Sequence, residues 1–231
     1  MKTIGLLGGM RWESTLEYYR IINQGVKARL GGSHSAQCLL YSVDFAEIEA
    51  LQHAGDWEAL TQAMIAAVKR LERGGADCLV ICTNTMHRMA DEVQAATPLP
   101  LLHIADATAA AVKAQGLGTV GLLGTRFTMQ GDFYRGRLEH QHGFQVLVPN
   151  QAGMDAVHRI IYNELVLGVI QEASRQVYLE VIADLAARGA QGVILGCTEI
   201  PLLVGQADVA IPVFDTTAIH AQAAVDWALT P

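Results

Sequence analysis

The sequence predicts an α/β protein built as two pseudo-symmetric parallel-sheet α/β domains from an internal duplication, with a cleft between them. Three observations predict it. Short β-branched or Leu-rich runs alternate with longer amphipathic segments, glycine-rich turns follow two of those runs, and segments of the first half recur in order in the second. Strands separated by helices imply right-handed crossovers, and so parallel sheets covered on both faces. Hydrophobic residues make up 51% of the 231 and charged ones only 17%, which supports a buried core and argues against disorder.

In chain order, the first half offers strands at Thr3–Leu7, Cys38–Val43, Cys78–Ile81 and Leu99–His103. The second half offers them at Thr119–Leu123, Gln145–Val148, Gly192–Leu195 and Ile211–Phe214. The N-terminal apolar run is too short for a signal peptide and meets Arg11-Trp12-Glu13, so it reads as a first strand and its loop. Ser14 and Glu17 fit a capping box, and Leu16, Tyr19, Ile22, Val26 and Leu30 follow near helical spacing. Trp57–Arg73 reads as an amphipathic helix stopped by Gly74-Gly75, and the Ala-rich stretch 105–114 as a tightly packed helix.

The duplication rests on three matches. Ile4-Gly5-Leu6-Leu7-Gly8-Gly9 recurs at Val120 with an offset of 116, Gly75-Ala76-Asp77 at Gly189 with 114, and Leu99-Pro100-Leu101-Leu102 at Ile211 with 112. Domains are therefore expected at 1–103 with 215–231, and at 104–214.

Composition excludes some functions. The 23 acidic and 16 basic residues leave a net charge of −7 and a pI near 5.6, which disfavours general capture of nucleic acid or anionic membrane. No apolar stretch approaches the roughly 18 residues of a membrane span. Cys38, Cys78, Cys82 and Cys197 are too sparse for a disulfide framework and read as thiols of a cytoplasmic protein. Cys38 and Cys78 lie in apolar strands and read as core. A metal at Cys78, Cys82 and His87 lacks the fourth ligand of a structural zinc site. A dinucleotide at Gly5-x-x-Gly8-Gly9 with Asp44 lacks the G-x-G-x-x-G spacing. No cofactor is expected. His34, His53, His103, His140, His142, His158 and His220 show no relay-like spacing and read as surface or satisfied side chains.

At the 114 offset Thr83 stands opposite Cys197 and Asn84 opposite Thr198. Both segments follow an apolar strand, and so sit at the carboxyl end of a parallel strand, where open α/β sheets place ligands. In a pseudo-twofold pair, equivalent strand ends face one another across a cleft. Two hydrogen-transferring groups on opposite faces of one carbon suit inversion at Cα. A thiol, with a reference pKa near 8.5, is a usable base. Backbone N–H groups near Asn84-Thr85 and Thr198-Glu199 suit a carboxylate.

Ile81-Cys82-Thr83-Asn84-Thr85-Met86-His87 and Gly196-Cys197-Thr198-Glu199 resemble the paired motifs of the aspartate/glutamate racemase family, and Leu6-Leu7-Gly8-Gly9-Met10 resembles its first glycine-rich loop. The resemblance covers essentially the whole chain and is nearest to the family's L-aspartate/glutamate-specific, broad-specificity branch. It implies a cofactor-independent amino-acid racemase, commonly a homodimer, in which Cys197 acts on the L isomer. The family's first motif usually reads Cys-Asn-Thr, and here the triplet is Thr83-Asn84-Thr85, with Cys82 one residue out of register. Thr83 thus takes the first catalytic position and Cys197 the second. Met10, Asn84, Thr85 and Thr198 are expected to line the substrate pocket, with Gln52 and Thr125 as weaker candidates.

Substrate choice stays open at this level. Leu167 stands where aspartate-restricted relatives often place a Lys, and Arg11 either supplies a cation or faces solvent. Aspartate and glutamate are the expected substrates, with neutral amino acids as an alternative. An amino-acid-binding protein without turnover, a hydantoin racemase and a decarboxylase of the same superfamily are the other readings.

Overall fold

The computed structural model describes residues 1–230. They fall into two compact units, Met1–Ile104 together with the C-terminal segment from His220, and Ala105–Ile219. The chain passes between the units at 104/105 and at 219/220.

In the first unit three strands, β1 (Ile4–Gly8), β2 (Cys38–Ser42) and β3 (Cys78–Ile81), form a parallel sheet in the order β2-β1-β3. Alternation along the strands sends their side chains into two cores. Leu7, Leu79 and Ile81 pack with Leu60, Met64 and Val68 of helix α3 (Trp57–Arg73). Ile4, Leu6, Cys78 and Val80 pack with Tyr18, Ile22 and Val26 of α1 (Trp12–Leu30) and with Ala221, Ala224 and Val225 of α9 (Thr216–Leu229). Two shorter helices, α2 (Phe45–Ala54) and α4 (Ala90–Ala95), complete the unit. Helix α3 has the bounds its periodicity predicts, and Gly75 just beyond it has φ +90.

In the second unit β4 (Thr119–Gly124), β5 (Gln145–Leu147), β6 (Val193–Gly196) and β7 (Val213–Asp215) form a parallel sheet in the order β5-β4-β6-β7. Leu123, Val193 and Leu195 pack against α7 (Gln151–Asn163) and α8 (Glu172–Ala187) through Val157, Ile160, Ile161, Tyr178 and Ile182. Between β3 and β5 the chain also forms α5 (Ile104–Ala114) and the one-turn α6 (Arg126–Gln130).

The duplication is visible in the registers. Leu6 pairs with Val80 in one sheet, and the equivalent Leu122 pairs with Ile194 in the other. Leu79 meets Leu101 as Val193 meets Val213.

Two expectations are corrected. The strand expected at Leu99–His103 reduces to one bridge, between Leu79 and Leu101. Leu79 N donates to Pro100 O (2.9 Å) and Leu102 N to Leu79 O (2.9 Å). Pairing stops there because Pro100 has no N–H and Ile104 N is taken by the His87 ring (3.3 Å). Helix α1 starts two residues before Ser14, with Arg11 as its N-cap, so the Ser14–Glu17 box does not form. Its inward face is Ser14, Thr15, Tyr18, Ile22 and Val26, while Leu16, Tyr19 and Leu30 are exposed. Thr15 decides this face. Its hydroxyl accepts from Gly9 N (2.9 Å) and donates to Arg11 O (3.1 Å), which ties the first turn to the glycine loop.

Candidate active site

The carboxyl ends of β3 and β6 lead into the two residues that the repeat makes equivalent, Thr83 and Cys197. In the second unit, Cys197 follows β6 directly and packs against the core formed with α7 and α8. Its Sγ donates to Glu199 Oε2 at 2.9 Å, and Thr198 Oγ1 donates to the same oxygen at 2.8 Å. The residue keeps some exposure. Its thiol is nevertheless pushed well above the ordinary range, by burial first and then by the charge and hydrogen bond of Glu199. Backbone N–H groups of Glu199 and Thr198 oppose that shift. At rest the sulfur is therefore a protonated thiol with a carboxylate in reach of its proton.

In the first unit, β3 ends at Ile81, and Thr83 is half-buried in the bend that follows. Cys82 is completely buried and continues the strand's alternation into the core with Ile4, Leu6 and Tyr18. Burial raises its thiol far beyond any working range. The neighbouring cysteine is thus core, as its register predicts, and Thr83 is the residue presented at the strand end. Cys38 and Cys78 pack in the same core, with thiols pushed up by burial to about 11 and about 12.

The remaining sequence candidates divide. Asn84 is buried and Thr85 half-buried, at the start of a 3₁₀ turn, Thr85–Met89, directly after Thr83. Met10 lies in the core with Leu7, Ile48 and Ile81, right after the glycine loop. Thr125 is buried at the carboxyl end of β4, where its hydroxyl caps α6 by accepting from Thr128 N (3.3 Å). Gln52 sits in the last turn of α2, well past the end of β2. Arg11 lies 3.8 Å from Glu13 and stacks over Phe45 at 5.8 Å.

The glycine loop is shaped by its own packing. A Cβ on Gly8 would lie 2.4 Å from Thr15 Cγ2, and Gly9, at φ +90, would put one 2.3 Å from Val43 O. Among the described residues no group of three or more His, Cys, Asp or Glu is placed to hold a metal.

Residue-by-residue reading missed three features. Glu199 stands in the quoted motif, but its contact with Cys197 is a matter of side-chain geometry. His158 of α7 accepts Arg126 N at 3.2 Å on Nδ1, beside Thr125. His87, His103 and His220 are buried, and His103 and His220 each meet the His87 ring edge-on, at 4.6 Å and 5.6 Å between ring centroids.

A family model described as Asp/Glu/Hydantoin racemase matches residues 7–224. The chain belongs to that family. Membership assigns racemase activity to it. It is similar to a candidate Asp/Glu racemase from Yersinia pestis, at 59% identity and a TM-score of 0.96, with 100% of both chains covered. It is also similar to an aspartate racemase homologue from Pyrococcus horikoshii OT3, at 35% identity and a TM-score of 0.88 over 100% of both chains. The broad specificity amino-acid racemase RacX of Bacillus subtilis is 24% identical over 234 residues, 96% of each chain. Among the described residues, no helix of this racemase is long and apolar enough to cross a membrane.

Proposed function

We propose that this racemase inverts aspartate and glutamate without a cofactor, by removing a proton from one face of Cα and returning one to the other. Cys197 acts on the L isomer and Thr83 serves the opposite face. The observation that carries this reading is the Cys197–Glu199 contact of 2.9 Å at the end of β6, the strand end that the repeat equates with Thr83. Once its proton is lost to solvent, the Cys197 thiolate, positioned beside Glu199, takes the α-proton of the L amino acid and becomes a thiol again. Carbanion charge then spreads onto the substrate carboxylate, held by backbone N–H groups beyond each strand and by Asn84, Thr85 and Thr198. A threonine hydroxyl is a far weaker acid than a thiol and stays neutral, so Thr83 is no ready base; on its face a proton is relayed from water through the hydroxyl, whose oxygen takes up one proton as it gives another.

Enantiomers have equal free energy in water, so kcat/KM is the same in both directions and any asymmetry lies in kcat, KM or isotope exchange. The test follows the α-proton of single enantiomers of aspartate, glutamate and neutral amino acids in D₂O. Exchange is expected to be faster from the L isomer than from the D isomer, and Cys197→Ala is expected to abolish it. Faster deuterium entry from the D isomer refutes the assignment of faces. Saturable binding without exchange refutes turnover, and a preference for neutral side chains refutes the acidic substrates.

The proposal extends to a cytoplasmic homodimer. The four free thiols support a reducing compartment. A stripe on α1 supports a second copy as partner, since Trp12, Leu16 and Tyr19 are 64%, 54% and 50% exposed at helical spacing.

A further inference from the structure

The reaction as described leaves His87 without a part, although its ring touches the backbone of Thr83. We propose that His87 is a positioning residue: locked in one neutral tautomer, it holds the Thr83 carbonyl and so fixes where the Thr83 hydroxyl meets the substrate. The proposal rests on the reading in which Thr83 serves one face of Cα.

The tautomer follows from its two partners. His87 Nδ1 lies 2.8 Å from Thr83 O, and Ile104 N donates to Nε2 at 3.3 Å. A carbonyl only accepts, so Nδ1 carries the proton. A backbone N–H only donates, so Nε2 has none. Only the neutral Nδ1–H form satisfies both bonds.

Local backbone geometry makes the ring available. His87 is four residues beyond Thr83, and in an α-helix its own N–H would take the Thr83 carbonyl. Here the turn is 3₁₀, and His87 N donates to Asn84 O at 3.1 Å instead. The Thr83 carbonyl is then met by the side chain.

The duplicated unit solves the same problem differently. Cys197, equivalent to Thr83, has its carbonyl met by a backbone donor, Ile200 N at 3.2 Å. The position equivalent to His87 is Pro201, which has no donor to offer. One strand end is held by its own main chain and the other by an imidazole.

The ring has little freedom to turn. It is 2% exposed and lies beside His103 and His220. His220 is itself held on both nitrogens, with Nε2 2.7 Å from Leu102 O and Nδ1 2.8 Å from Tyr18 Oη. By the same logic its proton is on Nε2, and the tyrosine hydroxyl donates to Nδ1. Helices α1 and α9 thereby support the Thr83 loop through two histidines of complementary tautomer.

Two near-isosteres separate the bonds. Asparagine places an amide N–H near Nδ1 and keeps the Thr83 contact. Glutamine reaches the Nε2 position and keeps an acceptor for Ile104. In D₂O exchange, H87Q is expected to lower the D-isomer rate by about tenfold to a hundredfold, with the L-isomer rate within about threefold of the parent. H87N is expected to keep both rates within about threefold of the parent. Equal losses on the two faces in H87Q, or the same behaviour in H87N and H87Q, overturn the proposal in favour of a purely structural histidine. Nitrogen-15 spectra of the intact protein test the tautomer without any turnover, and a proton on Nε2 of His87 overturns the proposal outright. Thr83→Ala separates the layers: unchanged D-isomer exchange in that variant overturns the reading beneath the proposal, whatever the His87 variants do.

Discussion

His220 makes the acid stability of this protein calculable. The ring is fully buried between Tyr18 Oη and Leu102 O, and burial pushes it down to about 4 against the pull of the Leu102 carbonyl. An unfolded histidine titrates near 6.5. Between those values the unfolded chain binds a proton that the folded chain refuses. Stability is therefore fully present above about pH 6.5 and is lost as pH falls toward and through about 4. At 1.36 kcal/mol per unit the loss from pH 7.5 to pH 4.5 is about 2 to 3 kcal/mol, a large share of the 5–15 kcal/mol of a typical domain. His220→Gln keeps a donor for Leu102 O and loses the acceptor for Tyr18. That costs about 1 to 3 kcal/mol at every pH and removes the titration. Urea unfolding of the parent and of H220Q at both pH values gives a double difference. Contributions common to both proteins cancel in it, including those of His158, which is lowered by burial and Arg126, and of the paired carboxylates Glu72, Asp155, Glu172 and Asp208. A double difference below about 0.5 kcal/mol refutes the reasoning, because it means that the buried ring accepts its proton as easily as the unfolded one.

Three further outcomes are expected. In Glu199→Gln the pH midpoint for alkylation of Cys197 by iodoacetamide, read on its own peptide by mass spectrometry, moves down, because the charge and hydrogen bond that keep the thiol protonated are gone; an unmoved midpoint defeats the proposed pairing. Gly9→Ala costs more than about 1 to 3 kcal/mol in urea unfolding, since strain at φ +90 adds to a 2.3 Å approach to Val43 O. Gly75→Ala, at the same φ with nothing within 4 Å of its Cβ, costs less, and equal costs would show that the approach to Val43 contributes nothing. Trp12→Glu converts the proposed dimer to monomer in analytical ultracentrifugation, and a parent protein that sediments as monomer removes the basis for that partner.

The sequence by itself determined the parts of this protein that local chemistry dictates. Buried strands read as apolar runs because both faces of each parallel sheet are covered, and α3 reads to the residue because its apolar stripe and glycine stop are local. The duplication was legible because each half closes a sheet of the same order and register. Cys82 could be set aside on parity alone, since side chains alternate along a strand.

Tertiary structure decided the rest. Which face of α1 turns inward depended on Thr15 meeting the Gly8-Gly9 loop, and periodicity pointed instead to Leu16 and Tyr19. The last expected strand of the first unit shrank to a bridge because Pro100 and the His87 ring withdrew its neighbouring donors from pairing. The approach of Glu199 to Cys197 is a matter of rotamer. His87, His103 and His220 have no spacing that marks them, because residues so far apart in the chain become neighbours only when α9 returns to the first sheet. Periodicity records what each residue does within its own element. A hydrogen bond between elements is set by distances that exist only after packing.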